Sequence, residues 1–168
     1  MLFPLLEEPA PRSCPYAELR PMQSKLIHDA DGQQTYAIIL ASGDEVTACL
    51  SAFARQRGLQ AASFKAIGAF ERATLAFFDW EAKRYLPIEV NEQVEVASLT
   101  GDVAVGPDGE PALHIHAVLG RRDGSAVAGH LQTALVRPTL EVILTESPEY
   151  LRKTVDPDVG LALIKPGL

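Results

Sequence analysis

The chain has 168 residues, 47% of them hydrophobic and 22% charged, which suits one domain with a buried core and excludes a wholly disordered chain. Its formal net charge of -7 argues against DNA binding by this chain alone, because nucleic-acid binders draw much of their affinity from a basic face. No segment approaches the roughly 18–20 apolar residues that a membrane-spanning helix needs.

The N-terminal 21 residues are rich in proline, which fixes φ and removes a backbone donor, so they predict an extended arm. They lack the positive start and the long apolar run of a signal peptide. Cys14 and Cys49 form no CxxC pair and indicate neither a metal knuckle nor a disulfide framework. We therefore expect a cytoplasmic protein with an arm (1–21), a main domain (22–150) and a C-terminal tail (151–168). Because its 160–164 segment is apolar, the tail is expected to pack on its own domain or on a neighbouring subunit.

The clearest helical pattern covers residues 44–57. Ser42 followed by Glu45 predicts a capping box at its start, and Gly58 suits the left-handed residue that often ends a helix. Apolar residues recur at helical spacing on one side, at Val46, Cys49, Leu50 and Phe53. Cys49 lies on this stripe and is interpreted as a small core residue rather than a reactive thiol.

The rest of the chain has the pattern of short strands. Turn signals and β-rich segments predict strands at 34–40, 61–67, 73–79, 83–90, 93–99, 112–119, 131–136 and 139–146. Pro138 predicts a break or a bulge between the last two. Most connections are too short for a helical crossover, so most pairings should be antiparallel. The predicted fold class is α+β, a mostly antiparallel mixed sheet with one main helix packed on it.

Three of the four histidines lie close together in the predicted sheet. His114 and His116 flank Ile115 in one strand, and residues two apart point to the same face. A turn at Asp123-Gly124 would return His130 beside them. Three imidazoles suit zinc or another divalent transition metal, and leave a fourth position open for water or a small ligand. The alternative is that these histidines are surface residues or satisfied core groups.

Other site types have less support. Glu95 and Glu141, near the histidine strands, are candidate partners of the ligands or acid/base groups, with exposed solvated glutamates as the alternative. An HxH pair also occurs in cupins, but their following glutamate is replaced here by Leu119 or Gly120. The chain has no GxSxG elbow, no Cys-His signature, no phosphate loop and no GxGxxG.

Several phrases, in order and spacing, resemble the plants and prokaryotes conserved (PPC) domain. They are GDEV (43–46), AIGA (66–69), EVASLTGD (95–102), LHIHAVL (113–119), GHL (129–131) and TLEV (139–142). The resemblance runs from about residue 36 to residue 146 and implies an α+β homotrimer. It also implies that the positions of His114, His116 and His130 bind a metal, usually zinc, beside a pocket at the subunit interface.

The resemblance leaves three functions to weigh. The first is a cytoplasmic metal-binding homotrimer that takes a small ligand or a protein partner. The second is a metal-dependent enzyme of lyase or hydrolase type, since the fold is also likened to part of the acetolactate decarboxylases. The third is a DNA-associated regulator. Plant members bind DNA through an AT-hook, and this sequence has no Arg-Gly-Arg-Pro core, so that function does not carry over.

Overall fold

The structure is a computed structural model, and it describes residues 22–167. The predicted N-terminal arm falls outside the described residues. One helix and nine strands follow in chain order: β1 (Gln23–Ala30), β2 (Gln33–Ala41), α1 (Val46–Arg57), β3 (Ala61–Asp79), β4 (Arg84–Val90), β5 (Val94–Val105), β6 (Pro111–Gly120), β7 (Ala126–Glu146), β8 (Lys153–Val155) and β9 (Ala162–Ile164). No helix in this part of the chain is long and apolar enough to span a membrane.

Seven strands form one antiparallel sheet in the order β1-β2-β7-β6-β5-β3-β4. The long strand β7 also pairs with β3, so that β3, β5, β6 and β7 make a closed circuit of hydrogen-bonded neighbours. Such closure leaves a single inner space, which apolar side chains fill, and an outer surface that faces solvent. The predicted antiparallel sheet with one main helix is confirmed.

The core lies between the inner sheet face and α1. Phe53 of α1 packs edge-on against Tyr36 of β2, with 5.2 Å between ring centroids. The helical stripe predicted from the sequence is buried at every position: Val46, Cys49, Leu50 and Phe53. Cys49 is a core residue, as its position on that stripe predicted.

The start of α1 differs from the predicted capping box. Glu45, not Ser42, is the N-cap, and its Oε2 accepts a hydrogen bond from the backbone N–H of Ala48 at 2.6 Å. Ser42 instead donates its hydroxyl to the carbonyl of Pro138. At the other end Gly58 is left-handed, with φ 63° and ψ 36°, as predicted.

The predicted strand break at Gly68 does not occur, and at Pro138 the structure has the bulge, not the break, of the two predicted alternatives. The chain continues from 61 to 79 as the single strand β3, and from 126 to 146 as the single strand β7. Gly68 allows the first continuation, because it has φ 153° and a Cβ there would lie 2.2 Å from the carbonyl oxygen of Thr139. Opposite it, at Pro138, the strand register shifts without ending the strand.

Strands β1, β8 and β9 were not predicted from the sequence. β8 and β9 form a two-stranded hairpin within the C-terminal tail. The tail is attached to the main sheet by backbone hydrogen bonds, from the N–H of Val105 to the carbonyl of Leu151 and from the N–H of Leu151 to the carbonyl of Gln60.

Candidate metal centre

The strand register brings the three predicted histidines together. His114 and His116 lie two residues apart on β6, while Ile115 between them is buried on the core side. β7 returns antiparallel to β6, and His130 is the direct cross-strand partner of His116. Directly paired residues share a sheet face, so all three imidazoles lie on the outer surface.

The distances suit a small metal ion. One nitrogen from each ring can be chosen so that the three atoms lie within 4.8 Å of one another. The Nε2 atoms of His114 and His116 are 3.2 Å apart. Tetrahedral zinc with Zn–N bonds of about 2.0–2.1 Å separates its ligand nitrogens by about 3.3–3.4 Å. The separation of His114 and His116 therefore suits a zinc-like ion, whereas within the 4.8 Å spread of the three nitrogens the third would have to move closer.

The environment of His130 favours its neutral form. Its ring stacks on Tyr85 of β4, with centroids 4.7 Å apart and planes at 25°. Burial, together with repulsion from His114, His116 and Lys153, lowers the pKa of His130 to about 4. Its buried Nδ1 has no hydrogen-bond partner among the described residues, which is uncommon for a buried polar atom.

A carboxylate lies beside His114, but it is not one of those predicted. Asp102 of β5 is the direct cross-strand partner of His114, and its Oδ2 lies 3.6 Å from the imidazole Nδ1. Burial lowers the pKa of His114, and the negative charge of Asp102 opposes that change. Asp102 in turn pairs with Lys153 of the tail, at 2.7 Å from Oδ1 to Nζ. In the sequence Asp102 stands only at the end of the EVASLTGD phrase, and nothing there signalled its contact with Lys153.

Glu95 and Glu141 lie away from the histidines and match the alternative given for them, exposed solvated glutamates. Thr100, not Glu95, pairs with His116, so Glu95 lies five residues further along β5, about 17 Å away at strand spacing. Glu141 lies eleven residues beyond His130 on β7, where it pairs with Ile39 and Ile67. Both glutamates are exposed.

Two surface depressions in the described chain lie away from the histidines. One is lined by Glu92, Arg121, Arg122 and Asp123, and there Arg121 pairs with Glu92 at 3.0 Å. The other, of about 320 Å³, lies at the start of α1 and is lined by polar residues that include Glu45, Arg72, Glu89 and Asn91. Neither depression includes a histidine of the cluster.

Comparison with protein families identifies a matching family. The model of the Plants and Prokaryotes Conserved domain, abbreviated PCC, matches residues 28–148. No curated protein matches the chain.

Solved structures resemble the fold closely. A protein from Bacteroides thetaiotaomicron, provisionally described as DNA-binding, is 30% identical with a TM-score of 0.77, over 86% of this chain and 96% of its own. A metal-containing protein from Archaeoglobus fulgidus is 30% identical with a TM-score of 0.73, over 88% and 99%. A plant- and prokaryote-conserved protein from Pyrococcus horikoshii is 28% identical with a TM-score of 0.73, over 88% and 97%.

Proposed function

Because the chain belongs to the Plants and Prokaryotes Conserved domain family, we propose that it is a metal-binding member in which His114, His116 and His130 hold one zinc-like divalent ion per subunit. The observation that carries the proposal is the convergence of three imidazole nitrogens within 4.8 Å. Three neutral nitrogen ligands suit zinc and related transition metals better than calcium or magnesium, which prefer oxygen.

The protein's own residues prepare this site. The lowered pKa values of His114 and His130 keep both rings neutral near pH 7, and only the neutral ring can bind a metal. The stacking of Tyr85 restricts the orientation of the His130 ring. An ion held by three protein ligands supplies an open position that can polarise a carbonyl or activate water.

The relative from Archaeoglobus fulgidus supports the proposal. It is described as metal-containing and aligns over 88% of this chain, a span that includes most of the described residues. The similarity to this relative extends over the sheet in which β6 and β7 are paired. A metal is therefore the first ligand to test.

We further propose that the protein is a cytoplasmic homotrimer with its ligand or partner pocket at a subunit interface. The outer sheet surface that carries the histidines also exposes Ile39, Ile67 and Ile143, and Ile67 is 62% exposed. Exposed apolar residues on one sheet face are typical of a surface that another chain covers. A neighbouring subunit bound to this surface would enclose the histidines in a pocket, which a single chain does not form around them.

Elemental analysis tests the metal site directly. Wild-type protein purified without chelator and supplied with zinc is expected to hold about one ion per chain. His116→Ala removes one of three protein ligands and should reduce occupancy sharply. His28→Ala is the matched control, because His28 lies on the exposed strand β1 outside the cluster.

Two results would contradict this function. Wild-type protein that holds no metal after zinc is supplied would leave the cluster as a packing feature. Equal occupancy in His116→Ala and wild type would show that any bound metal lies elsewhere.

A metal-dependent enzyme of lyase or hydrolase type is the second candidate. The three-ligand set favours it, because catalytic zinc sites commonly keep a fourth position open for water or substrate. Turnover of a small carbonyl or ester substrate that disappears in His116→Ala but persists in His28→Ala would favour the enzyme over a binding protein.

A further inference from the structure

Lys153 is the one charged residue among positions 22–167 that is buried, with 5% of its surface exposed. A buried ammonium group is costly unless it is paired and hydrogen-bonded. Here its Nζ lies 2.7 Å from Asp102 Oδ1 and donates to the backbone carbonyl of Ala112 at 3.1 Å. Both partners belong to the strands that carry or flank the histidines, whereas Lys153 comes from the C-terminal hairpin.

The two oxygens of Asp102 face different groups. Oδ1 pairs with Lys153, and Oδ2 lies 3.6 Å from Nδ1 of His114. That second distance is too long for a hydrogen bond, but close enough for the carboxylate to attract an Nδ1–H. An imidazole with its proton on Nδ1 has an unprotonated Nε2, and Nε2 of His114 is the nitrogen that faces His116.

We infer that Asp102 is a positioning residue for His114, and that Lys153 holds the Asp102 carboxylate in place. The inference rests on the proposed metal site and extends it to the tail. Metal-binding histidines commonly direct their second nitrogen at a carboxylate, which fixes the tautomer and the ring orientation. Through Lys153, the C-terminal hairpin becomes part of the site although it provides no ligand.

The alternative is that the Lys153–Asp102 pair only attaches the tail. The tail has separate attachments, since backbone hydrogen bonds join Leu151 to Val105 and to Gln60, and Arg152 bridges to Val105. Lys153→Met keeps most of the side-chain volume and removes the charge, so the hairpin is expected to stay in place. Lys165→Met is the matched control, because Lys165 is an exposed lysine of the same tail.

Zinc affinity, measured by competition with a chromophoric chelator, tests the coupling. Asp102→Asn is expected to weaken zinc binding about tenfold, the lower end for loss of a partner of a ligand. In a Lys153→Met background the same substitution should change affinity by less than about threefold, because the carboxylate is no longer held. Lys165→Met should leave the tenfold effect intact. Equal effects of Asp102→Asn in all three backgrounds would overturn the role of Lys153.

The tautomer of His114 can be measured by NMR in metal-free, ¹⁵N-histidine-labelled protein. It would not change if the Lys153–Asp102 pair only attached the tail. We expect the proton on Nδ1 in wild type and in Lys165→Met, and loss of that preference in Asp102→Asn and in Lys153→Met. An unchanged tautomer in both variants would overturn the inference. This measurement needs no metal, so it decides the positioning role even if wild type binds no zinc and the proposed function fails. If Asp102→Asn does not fold, the tautomer of His114 in Lys153→Met alone still tests the inference.

Discussion

At the scale of single residues, the charge state of the histidines governs the site. His130 is partly buried against Tyr85 and lies beside two other imidazoles and the ammonium group of Lys153. Each of these neighbours disfavours a positive charge on its ring. The His130 ring is therefore neutral at pH 7, which is the form in which an imidazole can bind a metal.

The titration of His130 is a direct test. In metal-free protein we expect its pKa near 4, well below the ordinary value of about 6.5. Since the folded state binds this proton less readily than the unfolded state, this group makes the free energy of unfolding fall as pH drops from about 6.5 to 4. NMR of the imidazole protons gives the pKa, and urea unfolding at several pH values gives the stability.

The variant His130→Gln should reduce that fall in stability, because the group that gains a proton on unfolding is gone. His28→Gln, which changes an exposed histidine outside the cluster, is the control for the chemical change itself. A midpoint near 6.5 for His130, or an unchanged pH dependence in His130→Gln, would show that its surroundings do not disfavour the proton.

The site residues differ in how well the sequence predicts them. His114 and His116 are predictable because strand periodicity places residues two apart on one face. His130 is predictable because a short turn returns the chain. Asp102 and Lys153 are not, because their positions depend on the register of β5 against β6 and on where the tail folds back. Such contacts join residues distant in sequence and leave no local pattern.

At the scale of elements, one glutamate connects α1 to the sheet. Glu45 Oε2 accepts from the N–H of Ala48 in the first turn of α1, and Oε1 accepts from the N–H of Ala134 on β7 at 3.1 Å. The same side chain therefore caps the helix and fixes it to the strand that carries His130. Ser42, which the sequence predicted as the N-cap, instead donates its exposed hydroxyl to the backbone carbonyl of Pro138.

We expect Glu45→Ala to lower the free energy of unfolding by about 1–2 kcal/mol, because it removes the cap and leaves the N–H of Ala134 without its acceptor. Ser42→Ala is the matched control and should cost less than about 0.5 kcal/mol, as for exposed surface positions. Urea denaturation of both variants measures the difference. A larger loss in Ser42→Ala would restore the capping box predicted from the sequence.

The elements that sequence patterns miss are those set by tertiary pairing. β3 and β7 were each predicted as two strands, because Gly68 and Pro138 normally punctuate a strand. Gly68 of β3 and Pro138 of β7 lie at the same register shift between the two strands. The pairing of β3 with β7 therefore continues past both residues as a bulge. The helix, by contrast, is set by local spacing, and its stripe and its C-terminal glycine were predicted correctly.

At the scale of the whole molecule, several large apolar side chains are exposed on the outer face of the sheet. Exposed isoleucines lie on β2, β3 and β7, and the histidine cluster lies on the same outer face of the sheet. We expect light scattering at micromolar concentration to give about three times the chain mass of 18.1 kDa. A mass near that of one chain would exclude the homotrimer, and with it the interface pocket.

Nucleic-acid binding by this chain can be tested directly, because structural relatives include proteins provisionally described as DNA-binding. A net charge of -7 per chain repels a polyanion, and a homotrimer would carry three times that charge. Arg121, one of the two residues in the single Arg-Arg pair of the sequence, is already paired with Glu92. We therefore expect fluorescence anisotropy to show no submicromolar binding to an AT-rich duplex at physiological salt. Binding that weakens steeply and log-linearly with added salt would reveal phosphate contacts and contradict this expectation. A GC-rich duplex is the control, because affinity for the AT-rich duplex alone would indicate recognition of its minor groove in spite of the missing AT-hook.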